Sequence, residues 1–302
     1  MSAPVGILLA AGMGTRLRPL TLVRPKPLVP LHGIPLMEFG LRQLEAAGCR
    51  VVGVNGHHLS PLLENWLHKR QQARPGTELR FFHEPVLLGV GGGLARMAQE
   101  LPAGPLLVQN GDVIHDGDLA AFLAGAELDE DVCLALGGTP RVVEVEHGRV
   151  LGLRDRQRST HGFTGVHAWS EAARQRLCRW EASDLIPFLQ EEIRLGHGVR
   201  GHLLWSEGRE ALWVDLGHLA RYYPLHVELW ADSRYHELTR RLCLAPHWDA
   251  ERQLSLGARS TLPQDARRCV AWDDVRWEGR AEDCLLLDGV NGRGAAQGEI
   301  LL

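Results

Sequence analysis

Short apolar runs alternate with amphipathic helical stretches from residue 5 to about residue 230, and this alternation leaves few folds open to the chain. Residues 5–9 read as a buried strand that delivers its end to Ala10, Ala11 and Gly12. Over 35–47, Leu36, Phe39, Leu44 and Ala47 recur at helical spacing; Gly48 then marks a stop and 51–54 the next strand. The same reading predicts helices at 59–69, 91–100 and 119–126 and strands at 79–82, 105–108 and 132–136. A hairpin is expected to pair 142–145 with 150–153 about His147-Gly148. Strands joined through helices pair in parallel, because a helical crossover returns the chain to the same edge of the sheet. The fold class expected is α/β: a Rossmann-like, mixed but mostly parallel sheet flanked by helices, with ligands at the carboxyl ends of its strands.

That geometry directs attention to the loops after Leu9 and Val108. Residues 9–31 read LAAGMGTRLRPLTLVRPKPLVPL. Ala10, Ala11, Gly12 and Gly14 have little or no side chain, so backbone N–H groups can approach phosphate oxygens closely. The cations Arg16, Arg18, Arg24 and Lys26 follow at once, and Pro19, Pro25 and Pro27 stiffen the segment that carries them. These are the elements of a triphosphate clamp. A P-loop would need GxxxxGK(S/T), which is absent, and a dinucleotide fingerprint would need a third glycine where Leu17 stands. The chain as a whole carries a net charge of -4, which gives no reason to expect nucleic acid or an anionic membrane as partner. An anionic ligand must therefore be captured locally.

The run GMGTRLRPLTLVRPKPLVPL resembles the signature of the sugar-phosphate nucleotidyltransferase superfamily, whose members make nucleoside diphosphate sugars. The resemblance covers about residues 4–230 and implies a glycosyltransferase-A-like fold, with a nucleoside triphosphate and a sugar 1-phosphate as substrates. It implies that Leu9, Ala10, Ala11, Gly12, Gly14, Thr15 and Arg16 bind the nucleotide, with Arg16 assisting the departing pyrophosphate. By the same resemblance Lys26 contacts the α phosphate and the sugar phosphate. Val108-Gln-Asn-Gly-Asp112 resembles the strand-end magnesium site of the family, and Asp215 in Leu212-Trp-Val-Asp-Leu-Gly-His218 resembles its partner carboxylate. Arg16, Lys26 and Asp112 are thus the catalytic candidates, Asp112 and Asp215 the metal candidates, and Mg²⁺ the cofactor expected.

Glu84-Pro-Val-Leu-Leu-Gly-Val-Gly-Gly-Gly-Leu94 is similar to the base-reading loop of that superfamily, which makes Glu84, Gly91 and Gly92 nucleotide contacts. Phe163-Thr-Gly-Val-His167 is similar to its acceptor strand, which assigns Thr164 and Gly165 to the sugar phosphate. Many members carry Glu-Lys-Pro ahead of that strand; this chain has Asp155-Arg156-Gln157, so Asp155 and Arg156 are the acceptor candidates there and the acceptor's identity stays open. UTP with an amino-sugar 1-phosphate is the favoured pair and GTP with mannose 1-phosphate the second. A non-catalytic, nucleotide-sugar-binding member and a cytidylyltransferase acting on phosphocholine are the alternatives.

The remaining features point to structure. The six cysteines form no CxxC pair and the N-terminus lacks a basic leader, so a reduced cytoplasmic protein is expected. His57-His58 has no second cluster at ligand spacing, and no GxSxG elbow is present. After about Trp230 the character changes to an Arg- and His-rich helical stretch over 235–244, then to short polar and apolar alternation without long helices. Residues 1–235 are expected to form the catalytic domain and 236–302 a C-terminal extension. Cys269, Val275, Ala281 and Leu287 fall every sixth residue there, the spacing of a truncated left-handed β-helix. So short a stack buries little by itself, so the extension is expected to lean on the catalytic domain or to serve self-association.

Overall fold

The computed structural model describes residues 3–126, 128, 129, 131–155, 157–180 and 183–302. Contacts within the chain divide it into two units, Met1–Gly12 with Phe39–Val214, and Met13–Glu38 with Asp215–Leu302. This division differs from a boundary at residue 235. Residues 13–38 join the C-terminal unit because their side chains find partners there: Lys26 meets Asp215, Arg24 meets Asp288, and His32 meets Tyr235.

The first unit is built on an eight-stranded sheet. In chain order its elements are β1 (Val5–Leu9), α1 (Leu36–Ala46), β2 (Val51–Gly56), α2 (Ser60–Ala73), β3 (Glu78–His83), α3 (Gly89–Glu100), β4 (Leu106–Asn110) and α4 (Leu119–Gly125). There follow β5 (Val132–Glu146), β6 (Arg149–Leu153), β7 (His161–Trp169), α5 (Glu171–Leu177), α6 (Leu185–Arg194) and β8 (Val199–Leu203). The spatial order is β8-β6-β5-β7-β4-β1-β2-β3. β4, β1, β2 and β3 are mutually parallel, while β7 runs antiparallel to both β4 and β5. The sheet is therefore mixed; its run β4-β1-β2-β3 is the parallel part that the alternation of strands and helices predicts, while β7 and the hairpin β5–β6 pair antiparallel.

Alternate residues of β1 and β4 face opposite layers. Ile7 and Val108 join one buried cluster with Leu94 and Met97 of α3, Ala173 and Leu177 of α5, and Leu185 and Leu189 of α6. On the other face Gly40 of α1 lies so close that a Cβ there would stand 2.7 Å from Leu8 Cδ1. Each fully buried aliphatic side chain in these layers contributes roughly 1.5–3 kcal/mol. The expected hairpin is present, with Val143 opposite Leu153 and Val145 opposite Val150. Its turn residues His147 and Gly148 have φ of 48° and 75°, the double left-handed conformation of a tight two-residue turn. The expected strands 132–136 and 142–145 are one continuous β5. It passes through Gly137, where Trp205 packs so closely that a Cβ would lie 2.5 Å from its ring.

The second unit contains α7 (Tyr222–Ala231) and α8 (Ser233–Arg241), then β9 (Leu254–Leu256), β10 (Cys269–Ala271), β11 (Arg276–Glu282), β12 (Leu285–Leu286), β13 (Asn291–Gln297) and β14 (Ile300–Leu301). β9, β10, β12 and β14 stack in parallel, and β11 stacks on β13. The expected β-helical coils are thus present, but they repeat every 15 residues rather than in multiples of six: Leu254 lies over Cys269, and Arg259 pairs with Asp274 fifteen positions on. Buried Ala266, Ala281 and Ala296 fall one per coil. Left-handed residues recur in the same step, at Gln253, Arg268, Asp283 and Gly298. Each coil joins strands of unequal length through such turns, which a six-residue register cannot accommodate.

Candidate functional site

β1 sits between β2 and β4, so the chain winds away from it in both directions and leaves a crevice at the strand ends. Leu9 is in register with Asn110, and the Gly111 N–H donates to the Leu9 carbonyl at 2.9 Å. The turn at 10–12 and the turn bearing Asp112 therefore leave the sheet side by side. Gly12 is exposed, and a Cβ built there would meet nothing within 4 Å. Asp112 is half-buried.

Behind the first turn lies a buried relay. The Ala10 N–H donates to Asn55 Oδ1 at 2.7 Å, Asn55 Nδ2 donates to Glu84 Oε1 at 2.7 Å, and the Leu88 N–H donates to Glu84 Oε2 at 3.0 Å. Glu84 is only 1% exposed. Two expectations change as a result. The Ala10 donor is already satisfied within the fold, and Glu84 braces the loop 85–88 instead of facing a ligand. Asn55, which no motif singles out, ties the two loops together.

The glycines of α3 have a packing role of the same kind. The Gly91 and Gly92 N–H groups both donate to the Ser183 carbonyl, at 2.9 and 3.2 Å, so neither offers its donor to a base. A Cβ on Gly91 would stand 2.8 Å from the Asp184 backbone, and one on Gly93 2.6 Å from Glu84 Oε1. These positions are glycine because two backbones and a buried carboxylate close in on the first turn of α3. The exposed part of this loop is apolar, at Val86, Leu87 and Val90.

On the acceptor side, Thr164 is fully buried, its hydroxyl donating to the Ala135 carbonyl at 2.8 Å while its own carbonyl accepts from Trp213 Nε1 at 2.9 Å. Gly165, with φ of 85°, makes room for Asn110, whose Nδ2 would lie 2.8 Å from a Cβ. Gly165 thus makes the seat of Asn110, while Thr164 is engaged with Ala135 and Trp213. Asp155 is exposed and closes a local turn, accepting the Gln157 N–H on Oδ1 at 3.0 Å and the Ser159 N–H on its carbonyl at 2.8 Å. This self-contained turn, with its own negative charge, does not suit a phosphate. Arg156 lies outside the described residues. Two positions earlier, Arg154 lines a cavity of about 260 Å³ together with Asn110, Phe163, His167 and Asp184. Sequence reading missed Arg154 because no family motif marks it.

The second unit gathers the cations. Gly14 has φ of 61°, its carbonyl accepts from the Thr21 hydroxyl at 2.8 Å, and a Cβ would stand 2.8 Å from Thr21 Cγ2. Glycine is therefore required at this bend, which turns the chain into Thr15–Leu17 and then Lys26. Thr15 and Arg16 are exposed; Arg16 Nη1 lies 3.1 Å from His218 Nε2. Lys26 is nearly buried, with Nζ 3.4 Å from Asp215 Oδ1. Gly217 lies against both: a Cβ there would be in ordinary contact, 3.4 Å from Asp215 Oδ2 and 3.6 Å from Arg16 Nη1. Arg16, Lys26 and Asp215, nearly 200 positions apart, thus share one unit with His218, a neighbour the sequence does not advertise.

Arg24 departs from the expected clamp. Its guanidinium forks onto Asp288, with both contacts at 2.5 Å, reaches Asp273 at 2.7 Å, and lies 5.1 Å from the Trp272 ring centre. Burial lowers its pKa, but the two carboxylates outweigh burial and hold it above the ordinary arginine range. A cation so engaged braces the segment leading to Lys26 and is not offered to a phosphate.

The nucleotidyl transferase family model matches residues 5–150. A protein of Neisseria meningitidis serogroup B named N-acetylmuramate alpha-1-phosphate uridylyltransferase is 30% identical over 224 residues, which are 71% of this chain and 94% of that protein. The chain belongs to the nucleotidyl transferase family. The Mycobacterium tuberculosis protein named mannose-1-phosphate guanylyltransferase is 36% identical over 117 residues, 39% of this chain, and the match spans only 32% of that relative. The solved inositol-1-phosphate CTP transferase from T. maritima superposes with a TM-score of 0.64 at 18% identity, covering 81% of this nucleotidyl transferase chain and 99% of the other, a likeness of fold. Among the described residues no helix is long and apolar enough to cross a membrane.

Proposed function

We propose that the protein transfers a nucleoside monophosphate from a nucleoside triphosphate to a sugar 1-phosphate and releases pyrophosphate. The observation that carries this reading is the gathering of Arg16, Lys26 and Asp215 in one unit, since these are cation and carboxylate groups suited to polyphosphate and its counterion. The strand-end crevice between Leu9 and Asn110 supports a nucleotide site at residues 9–12 and Asp112. Gly14, Thr15 and Arg16, in the second unit, are the further nucleotide candidates. The exposed loop 85–90 is the surface left for the base.

The acceptor's phosphate oxygen is already an anion at neutral pH, so the reaction needs alignment and charge neutralisation more than a general base. Lys26 reduces charge at the α phosphate, and its near-burial beside Asp215 holds the ammonium in one place. Arg16, exposed beside His218, offers its guanidinium to the departing pyrophosphate. Asp112 and Asp215 offer oxygen donors, which suit a hard cation, and magnesium fits that chemistry. Among the described residues no three or more His, Cys, Asp or Glu side chains gather into a metal cluster, so phosphate and water oxygens would complete its shell. When bound, magnesium supplies positive charge to the phosphates.

UTP with an amino-sugar 1-phosphate is the favoured pair, supported by the Neisseria relative; GTP with mannose 1-phosphate comes second, supported by the Mycobacterium relative. Six free cysteines suit a reducing cytoplasm, where nucleotide-sugar supply for the cell envelope would begin. The test is a matrix of nucleoside triphosphates against sugar 1-phosphates, scored by pyrophosphate release with and without magnesium. Turnover of one sugar pair only with magnesium is expected. Release with phosphocholine alone, or none with any pair, would overturn the reading.

A further inference from the structure

Both cations of the proposed reaction end on one turn of the second unit, at 215–218. Lys26 Nζ lies 3.4 Å from Asp215 Oδ1, and Arg16 Nη1 lies 3.1 Å from His218 Nε2. The backbone of this turn is fixed. Leu216 is 1% exposed, the Gly217 N–H donates to the Asp215 carbonyl at 3.0 Å, and the His218 carbonyl accepts the Arg221 N–H at 3.0 Å. Only the His218 ring reaches the surface, where Arg16 is exposed as well. An exposed arginine otherwise samples many rotamers, and that freedom is lost each time it closes on an anion.

A guanidinium has donors only, so His218 Nε2 accepts in this contact and the ring proton sits on Nδ1. The imidazole that holds Arg16 is therefore neutral. A carboxylate in its place would hold the guanidinium more strongly, but it would also offset the charge that a polyanion needs. A neutral acceptor takes one of the five guanidinium N–H groups and leaves the charge intact. We propose that His218 is a positioning residue of the reaction, holding Arg16 for the departing pyrophosphate without neutralising it, while Asp215 holds Lys26 on the same turn. The proposal rests on the nucleotidyl-transfer reading above and adds a group that itself touches no reacting atom.

The experiment follows the reaction in both directions, with magnesium and the preferred substrate pair, for the parent and for His218→Ala, His218→Gln and His218→Glu. Forward kcat should fall about tenfold to a hundredfold in His218→Ala, the cost of a misplaced charge. In the reverse direction the KM for pyrophosphate should rise by a similar factor, while the KM for the nucleotide sugar stays within about twofold. His218→Gln, whose amide oxygen accepts from Arg16, should recover most of the loss. His218→Glu should be no better than alanine. In an Arg16→Ala background the three substitutions should cost nothing further. A His218→Ala enzyme with parental kcat and pyrophosphate KM overturns the proposal and leaves the reaction standing. Equal activity of the Gln and Glu variants, or a loss that persists in full without Arg16, overturns it too. A parent that releases no pyrophosphate with any pair overturns the reaction itself, and the proposal with it.

Discussion

Replacing Glu84 by alanine should destabilise the first unit far more than a single side chain behind a loop suggests. The carboxylate is buried and accepts from Asn55 Nδ2 at 2.7 Å and from the Leu88 N–H at 3.0 Å. Alanine strands both donors, and a buried unpaired donor costs about 1–3 kcal/mol, so the loss should be about 2–6 kcal/mol. With a urea slope of about 2 kcal/mol/M, the unfolding midpoint should fall by about 1 M or more. Glu84→Gln keeps the volume but points an amide N–H₂ at one of the two donors, so its cost should be intermediate, about 1–3 kcal/mol. Freed from Glu84, Asn55 loses its anchor and with it the Ala10 contact, so nucleotide KM should rise in both variants. Urea titration followed by far-ultraviolet dichroism measures the first effect, and initial rates against nucleotide concentration the second. An alanine variant within 0.5 kcal/mol of the parent, at unchanged nucleotide KM, would refute the relay as a mechanical link.

Asp112→Ala should cut pyrophosphate release by about 10² to 10⁴, the loss of one charge-stabilising group; a native rate would remove Asp112 from the site. Asp288→Ala leaves Arg24 with Asp273 alone. Because the pair is partly exposed, about 1–3 kcal/mol of stability should go, and activity should fall only while Lys26 is present, so Asp288→Ala and Lys26→Ala together should be no slower than Lys26→Ala. Additive rate losses in that cycle would break the link. The buried histidines make the second unit acid-sensitive. His32 donates from Nε2 to the His226 carbonyl and is pushed down to about 4, and His226, fully buried with neither ring nitrogen hydrogen-bonded among the described residues, is also held well below the ordinary histidine range, burial being the main cause for each. The unfolded chain binds protons on them below about 6.5 and the native one does not. Stability should therefore be flat above that pH and fall by up to about 1.4 kcal/mol per pH unit per histidine down to about 4. His226→Phe should flatten the slope by one proton's worth, and identical slopes in parent and variant between pH 8 and 5 would refute the assignment.

Much of the sheet was legible because its signals are local. Val5–Leu9 falls where the apolar run puts it, and helix and strand starts lie within a few residues of the expected positions, since a buried stripe or a turn glycine marks each. The motif at 9–31 likewise announced Gly14, Arg16 and Lys26. What escaped was anything decided by the other side of a contact. Nothing local distinguishes Asn55 from a surface asparagine until Glu84 is found 29 positions away. Gly91 and Gly92 look like ligand glycines because glycine reports only that something comes close, and here the visitor is the Ser183 carbonyl. Arg24 reads as one more clamp cation because its partners, Asp273 and Asp288, lie about 250 positions later. The coil period was misread for a related reason: Cys269, Val275, Ala281 and Leu287 are all buried, but the equivalent of Cys269 is Cys284.

The fifteen-residue step of the tail makes its length a quantity counted in whole units. Each inward residue rests on its counterpart one coil away, as Ala266, Ala281 and Ala296 do, and each turn carries its own charge pair, as Arg259 with Asp274 and Arg268 with Asp283 do. Insertion of one complete coil beyond Asp288 would give every backbone group an equivalent neighbour and leave the grip on Arg24 untouched. A single added residue would turn every later inward side chain outward. Evolution can therefore lengthen this tail as one extends a ladder, rung by rung, without disturbing the lower rungs that hold Arg24.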